Sequence, residues 1–292
     1  MDDDAVAGAE AREVVVDPDE KVIEFQPPGQ YFEGHDQVII SLPKNPVMTV
    51  HHWVHILWAN QTAAASGLRN GSGWRTVLKV LWAFLRCMSF NHWRLLSKLN
   101  SIGRGCDIHP TAVVEGSSLG DGVTVGPHAR ILFSHVAKGA TIMAGAHVEA
   151  STLGERSLVA QQTFLRMCVL YPQATAGQIL MQQCVLGRQV VTVPGAYSID
   201  LNLENDIRVP LDGKLHSTGT RFIGSCFGHG ARMGTGHWLA SGRMIPNESF
   251  VVHHPGGVIT QIPKDLPPRT PLFNDGGKLT SAVTPDPDQK SD

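Results

Sequence analysis

The sequence predicts a mainly β chain whose principal domain is a solenoid of short parallel strands. Three observations predict it. Aliphatic residues stand at Ile102, Ile108, Val114, Leu119, Val125, Ile131, Val136, Ile142, Val148, Leu153, Val159, Leu165 and Leu170, with spacings of 6, 6 and 5 repeated four times. Two residues before each of these from Ile108 on stands Cys106, Ala112, Ser117, Val123, Ala129, Ser134, Ala140, Ala146, Ser151, Ser157, Thr163 or Cys168, all but Val123 small. A helix needs a period of 3.6 and an isolated strand a period of 2, and neither fits. A fixed period of this kind marks stacked coils of three strands each. The aliphatic residue points into a narrow core, and the small one lets the chain turn beside it.

The elements follow in chain order. Residues 1–47 read as an acidic, largely irregular arm interrupted by Pro27, Pro28, Pro43 and Pro46, with room only for short strands such as VIEF or QVIISL. Residues 48–101 read as a basic, Trp-rich helical segment. It holds two helix candidates, roughly 48–68 and 74–99, split by Asn70-Gly71-Ser72-Gly73. In the second, Leu78, Leu81, Trp82, Leu85, Met88 and Leu99 share one face. The solenoid covers residues 102–255. Its register loosens after Leu170, recovers at Leu186-Gly187, gives way to a loop at about 199–221, and returns at Phe227, Met233, Leu239, Ile245 and Val251. Residues 256–292 read as a flexible tail.

Composition narrows the function. The net charge of -2 hides an asymmetry: residues 1–36 carry eleven acids against Arg12 and Lys21, whereas residues 37–106 carry eight basic residues and no acid. Five cysteines, Cys87, Cys106, Cys168, Cys184 and Cys226, include no CxxC pair, so reduced structural thiols are expected, not disulfides or zinc ligands. The acidic start lacks the apolar stretch of a signal peptide, and no run of about 18 apolar residues occurs to span a membrane. A cytoplasmic protein is expected, with peripheral contact at the inner membrane surface as a variant. No recognised motif supports nucleic-acid binding.

The repeat resembles the left-handed parallel β-helix of the hexapeptide-repeat acyltransferases. Within that group the chain is similar to the C-terminal acetyltransferase domain of sugar-1-phosphate nucleotidylyltransferases. Val125-Gly-Pro-His-Ala-Arg130 looks like the IGPFAR coil of that domain. The stretch from Ala176 to Gly187 looks like AGHLTYLGDAEIG with one residue removed, and Gly195 to Leu203 looks like GAGTITCNY. The resemblance covers about residues 102–255. It implies a homotrimer, an acetyl-CoA or other acyl-CoA co-substrate held between subunits, and a sugar or nucleotide-sugar acceptor. The nucleotidyltransferase domain itself has no counterpart here.

The resemblance also places the candidate site residues. The family's general base is a histidine, and Gln178 occupies its position; glutamine can hydrogen-bond a substrate but cannot take its proton. The family's asparagine is Asn202, the tyrosine beside it is Leu203, and the second arginine of PFARLRPG is Leu132. Thr235 corresponds to a serine near the CoA site. Gln178, Asn202 and Thr235 are therefore expected to line a cleft between subunits. Among His128, His135, His147, His229 and His237, the best candidate for an alternative base is His147, between Ala146 and the core residue Val148. His237 fills a slot that is otherwise small, which points to a subunit interface. No metal is expected: the HxxxxH pair of the zinc enzymes that share this fold is missing. The competing reading is a non-catalytic trimeric scaffold that kept the fold and lost the chemistry, membrane-associated through residues 48–101.

Trp53, Trp58, Trp74, Trp82 and Trp93 all fall in the basic segment. The expectation is that its helices cap the open N-terminal end of the solenoid, which would otherwise expose strand edges. A basic helix with Trp and Leu on one face could also lie in a membrane interface.

Overall fold

In the computed structural model, residues 20–25, 38–43, 47–70, 81–82, 97, 99–266, 268–269 and 271–281 are described. The expected second helix falls almost wholly outside the described residues. In the acidic arm, β1 (Glu20–Phe25) pairs antiparallel with β2 (Val38–Pro43), Glu20 opposite Pro43.

The solenoid is a parallel β-helix with three faces. Face 1 has eight strands, from Ser101–Ile102 to Met244–Ile245, and face 2 has eight, from Asp107–Ile108 to Phe250–Val251. Face 3 has five in one sheet, from Val113–Glu115 to Leu180–Gln182, and continues with the pair Tyr197–Ser198 and Trp238–Leu239. The register is the one the spacing predicts: Ile102 pairs with Leu119, Ile108 with Val125 and Val114 with Ile131. Most of these aliphatic residues from Leu119 to Ile245 are buried in one continuous column.

The 5-residue spacing has its own chemistry. Its corner is one residue shorter, and the turning residue has positive φ at Gly116, Phe133, Ala150, Met167 and Gln183. The residue after it is serine or cysteine, because a polar side-chain atom is needed to bond the backbone of the next coil. Ser134 N donates to Ser117 Oγ at 3.1 Å, Ser151 N to Ser134 Oγ at 3.1 Å, and Cys168 N to Ser151 Oγ at 3.0 Å. Ser134 Oγ in turn donates to Leu132 O at 2.7 Å. The hydroxyls thus satisfy buried backbone groups along the whole edge. At the face 1–face 2 corner the coils instead approach so closely that a Cβ on Gly120 would lie 2.6 Å from Lys138 N.

Two departures from the repeat shape the upper solenoid. After Ser198 the chain leaves for residues 200–225. The base of this excursion is closed by Ile223 N donating to Asp200 O at 3.0 Å and by the Leu201–Phe222 bridge. Its tip is a hairpin, Arg208–Leu211 with Lys214–Ser217, turned by Asp212 and Gly213 at φ 50° and 73°. Positive φ at both central residues is what a two-residue hairpin turn requires. The second departure is the helix α1 (Trp53–Asn70). It does not cap the N-terminal end. Trp53, Val54 and Leu57 pack with Ile207, Val209 and Ile223 of the excursion onto Val169, Val185 and Cys226, the outward residues of face 1. The reason is that the upper part of face 1 is itself apolar, so the amphipathic helix finds its cover on the flank. Ile102 in the first coil stays 52% exposed. Among the described residues no helix is long and apolar enough to cross a membrane.

Beyond Val251 a 3-10 turn, Pro255–Gly257, leads toward a second hairpin, Leu272–Asp275 with Lys278–Ser281. This hairpin lies within the stretch read as a tail. Gly276 and Gly277, at φ 60° and 98°, supply its turn.

Candidate functional site

Face 3 carries the candidate base His147. Its strands stack in register, so outward residues form columns one coil apart. One column is Val113, Arg130, His147, Phe164 and Leu180; the next is Glu115, Leu132, Glu149, Arg166 and Gln182. His147 is therefore flanked by Arg130 below, Phe164 above, and Glu149 two residues along its own strand. The Phe164 ring stands edge-on to the imidazole, centroids 4.6 Å apart. His147 Nε2 is 4.0 Å from Glu149 Oε2, and Arg166 Nε is 3.7 Å from Glu149 Oε1. Neither nitrogen has a hydrogen-bond partner, although both are covered.

Burial lowers the pKa of His147 below the ordinary histidine value. The Arg130 charge lowers it further, Glu149 pulls partly back, and Arg166 adds a smaller downward push. This shift favours the neutral imidazole, the form that can accept a proton. His147 Nε2 faces the Glu149 carboxylate from beyond hydrogen-bond distance.

Gln178 is not at a cleft. Its side chain is fully buried, its Oε1 accepts from Ser198 Oγ at 3.1 Å, and its Nε2 lies 3.9 Å from Met233 Sδ. The missing residue in this coil explains the burial. Phe164 N donates to Ile179 O where the coil below uses Thr163 O, so Ile179 takes the usual corner position and turns outward, 56% exposed. The glutamine turns inward in its place. Within this chain Gln178 presents nothing to a ligand.

Asn202 is half-buried where the excursion begins. Its Oδ1 accepts from Glu204 N at 3.1 Å and Asn205 N at 3.3 Å, which fixes the turn. It borders an open cavity of about 420 Å³ with Asp206, Arg208, Ser241 and Arg243. Thr235 is exposed at the opposite edge of face 3, against Gly195, where a Cβ would collide with Thr235 Oγ1. His147 sits three coils below the strand that leads to Asn202, about 14 Å at a strand spacing of about 4.8 Å. One chain therefore does not bring His147, Gln178, Asn202 and Thr235 together. The single-residue reading also missed Glu149, Phe164 and Arg166. The repeat held the signal: Glu149 shares the outward parity of His147, and Phe164 and Arg166 follow His147 and Glu149 by one 17-residue coil.

No family model and no curated protein matches the chain. Among solved structures it is similar to a candidate acetyltransferase from Bacillus cereus, over 52% of this chain and 77% of that one, at 16% identity and a TM-score of 0.20. A likeness at that score carries no weight for function, and the fold rests on the register of the coils.

Proposed function

We propose that this chain is an acyltransferase of the hexapeptide β-helix type, with His147 as its general base. The observation that carries the reading is the placement of His147 on face 3, beside Glu149 and bordered by Arg130, Phe164 and Arg166. The acyl donor is acetyl-CoA or another acyl-CoA, and the acceptor is a hydroxyl or amine of a sugar or nucleotide-sugar. The acceptor oxygen or nitrogen attacks the thioester carbonyl, and its proton passes to the His147 imidazole. The carbon–sulfur bond breaks, and the departing thiolate takes up that proton as CoA thiol. Positioned proton transfer of this kind contributes about 10²–10⁴-fold to rate.

The active form in this reading is a homotrimer. Its support is the bare upper half of face 3, where Leu180 is 42% and Trp238 72% exposed, with the Tyr197 ring tilted against Trp238. A neighbouring copy on that surface would bring its own Asn202 or Thr235 edge toward His147, which a single chain does not do.

Thiol release from acetyl-CoA, followed with a panel of amino sugars and UDP-sugars, tests the proposal. Turnover with one acceptor class, lowered about 10²–10⁴-fold in His147→Asn, supports it. No turnover with any acceptor in the folded protein favours the second reading, a non-catalytic trimeric scaffold. The enclosed Gln178 is the observation behind that alternative.

A further inference from the structure

A groove runs along the corner where face 3 turns into face 1, in the lower solenoid, and α1 borders it through Asn60. It holds about 460 Å³, within the range of roughly 300–1,000 Å³ typical of small-molecule sites. Its wall on face 1 is the column Ser101, Ser118, His135 and Thr152, one residue per coil and in register. The column changes character at the next coil, where Val169 begins the apolar stretch buried under α1. Among the described residues, none of these four side chains has a hydrogen-bond partner, and neither has the Asn60 carboxamide. Among the same residues no lysine, arginine, aspartate or glutamate lines the groove.

Phe133 supplies the apolar part. It holds φ 49°, an uncommon conformation for a bulky side chain. The same corner is Gly116 in the coil below and Ala150 in the coil above, so the fold does not require a ring there. The ring is 49% exposed, and its two small neighbours leave it standing free as a flat platform.

We infer that this groove binds an uncharged saccharide of one or two rings. A pyranose has an apolar C–H face and a rim of hydroxyls that both donate and accept. The negative face of the Phe133 ring receives the first. Serine and threonine hydroxyls, an imidazole and a carboxamide match the second in both senses. A nucleotide or sugar phosphate finds no guanidinium or ammonium here to pair its charge. A hydrocarbon chain would leave the five polar groups without partners. Thr152 lies around the corner from His147, on face 1, so the inference does not rest on acyl transfer.

Calorimetric titration of the full chain with methyl β-glucoside, cellobiose, maltose and chitobiose tests this. The expected result is one saturable site per chain for at least one of these sugars. Its affinity falls at least about fivefold in Phe133→Ala and about two- to tenfold in Thr152→Val. Ala150 already fills the same corner position, so Phe133→Ala keeps the fold, which circular dichroism checks. His147→Asn leaves the affinity unchanged. Resonances of the unaltered protein give a second readout: the sugar must shift the Phe133 ring and the Thr152 methyl. No saturable binding of any of the four sugars up to about 20 mM overturns the inference. So does unchanged affinity in both groove variants, or binding lost in His147→Asn and kept in Phe133→Ala.

Discussion

Faces 1 and 3 of the upper solenoid start from the same chemistry and end differently. On face 1 the outward residues Val169, Val185 and Cys226 are buried beneath α1 and the excursion. On face 3 the outward residues Leu180, Ile199 and Trp238 are 42%, 38% and 72% exposed. A solenoid must turn three faces outward, and this chain supplies its own cover for one apolar face. The other leaves Leu180, Ile199 and Trp238 open to solvent above His147. Intrachain packing thus covers face 1 and leaves the apolar residues of face 3 exposed.

The comparison breaks first at assembly. Leu180→Glu combined with Trp238→Glu places charge on this face, and sedimentation is expected to show the proposed trimer fully converted to monomer without loss of secondary structure. A variant that remains trimeric would move the interface off face 3. The next effect is catalytic: His147→Asn should reduce acyl transfer by about 10²–10⁴-fold, with the melting temperature nearly unchanged. On the covered face the effect falls on stability instead. Leu57→Ala, deleting a fully buried side chain, should cost about 2–5 kcal/mol in denaturant unfolding. Because the His147 pKa lies below the ordinary value, the base form persists as pH falls to about 6.5. Transfer should therefore hold steady through neutrality and drop only in more acid solution, as the ring gains its proton. A fall already complete at neutral pH would exclude His147 as the base. The smallest effect concerns the edge shared by the two faces. Ser134→Ala removes a donor to Leu132 O and an acceptor for Ser151 N, costing about 1–3 kcal/mol. Ser134→Cys should cost less, since Cys168 already serves in the same ladder.

The coil register was legible because inward aliphatic residues and small corner residues repeat with the backbone itself. The serine–cysteine edge was visible as spacing, but its cause, hydrogen bonding across a short corner, required the coordinates. The position of α1 was not legible. Its sequence shows that apolar residues must be covered, yet nothing local tells whether the cover is an end, a flank or a lipid surface. Trp53 was read as a membrane or capping residue and lies under the excursion. Gln178 escaped for a different reason. Removing one residue from a corner reverses which side chain faces the core, so alignment of motifs placed the glutamine at a cleft while geometry placed it inside. The surroundings of His147 could have been found by adding 17 to its number and to that of Glu149.

The central claim is that the uncovered face 3 binds an acyl donor. The most direct measurement is the melting temperature of the purified protein against increasing CoA and acetyl-CoA. A ligand that binds only the folded state raises it in a saturable way. The account predicts such a rise, abolished by the Leu180→Glu, Trp238→Glu pair that separates the subunits. No rise at millimolar CoA from a confirmed folded trimer would contradict it.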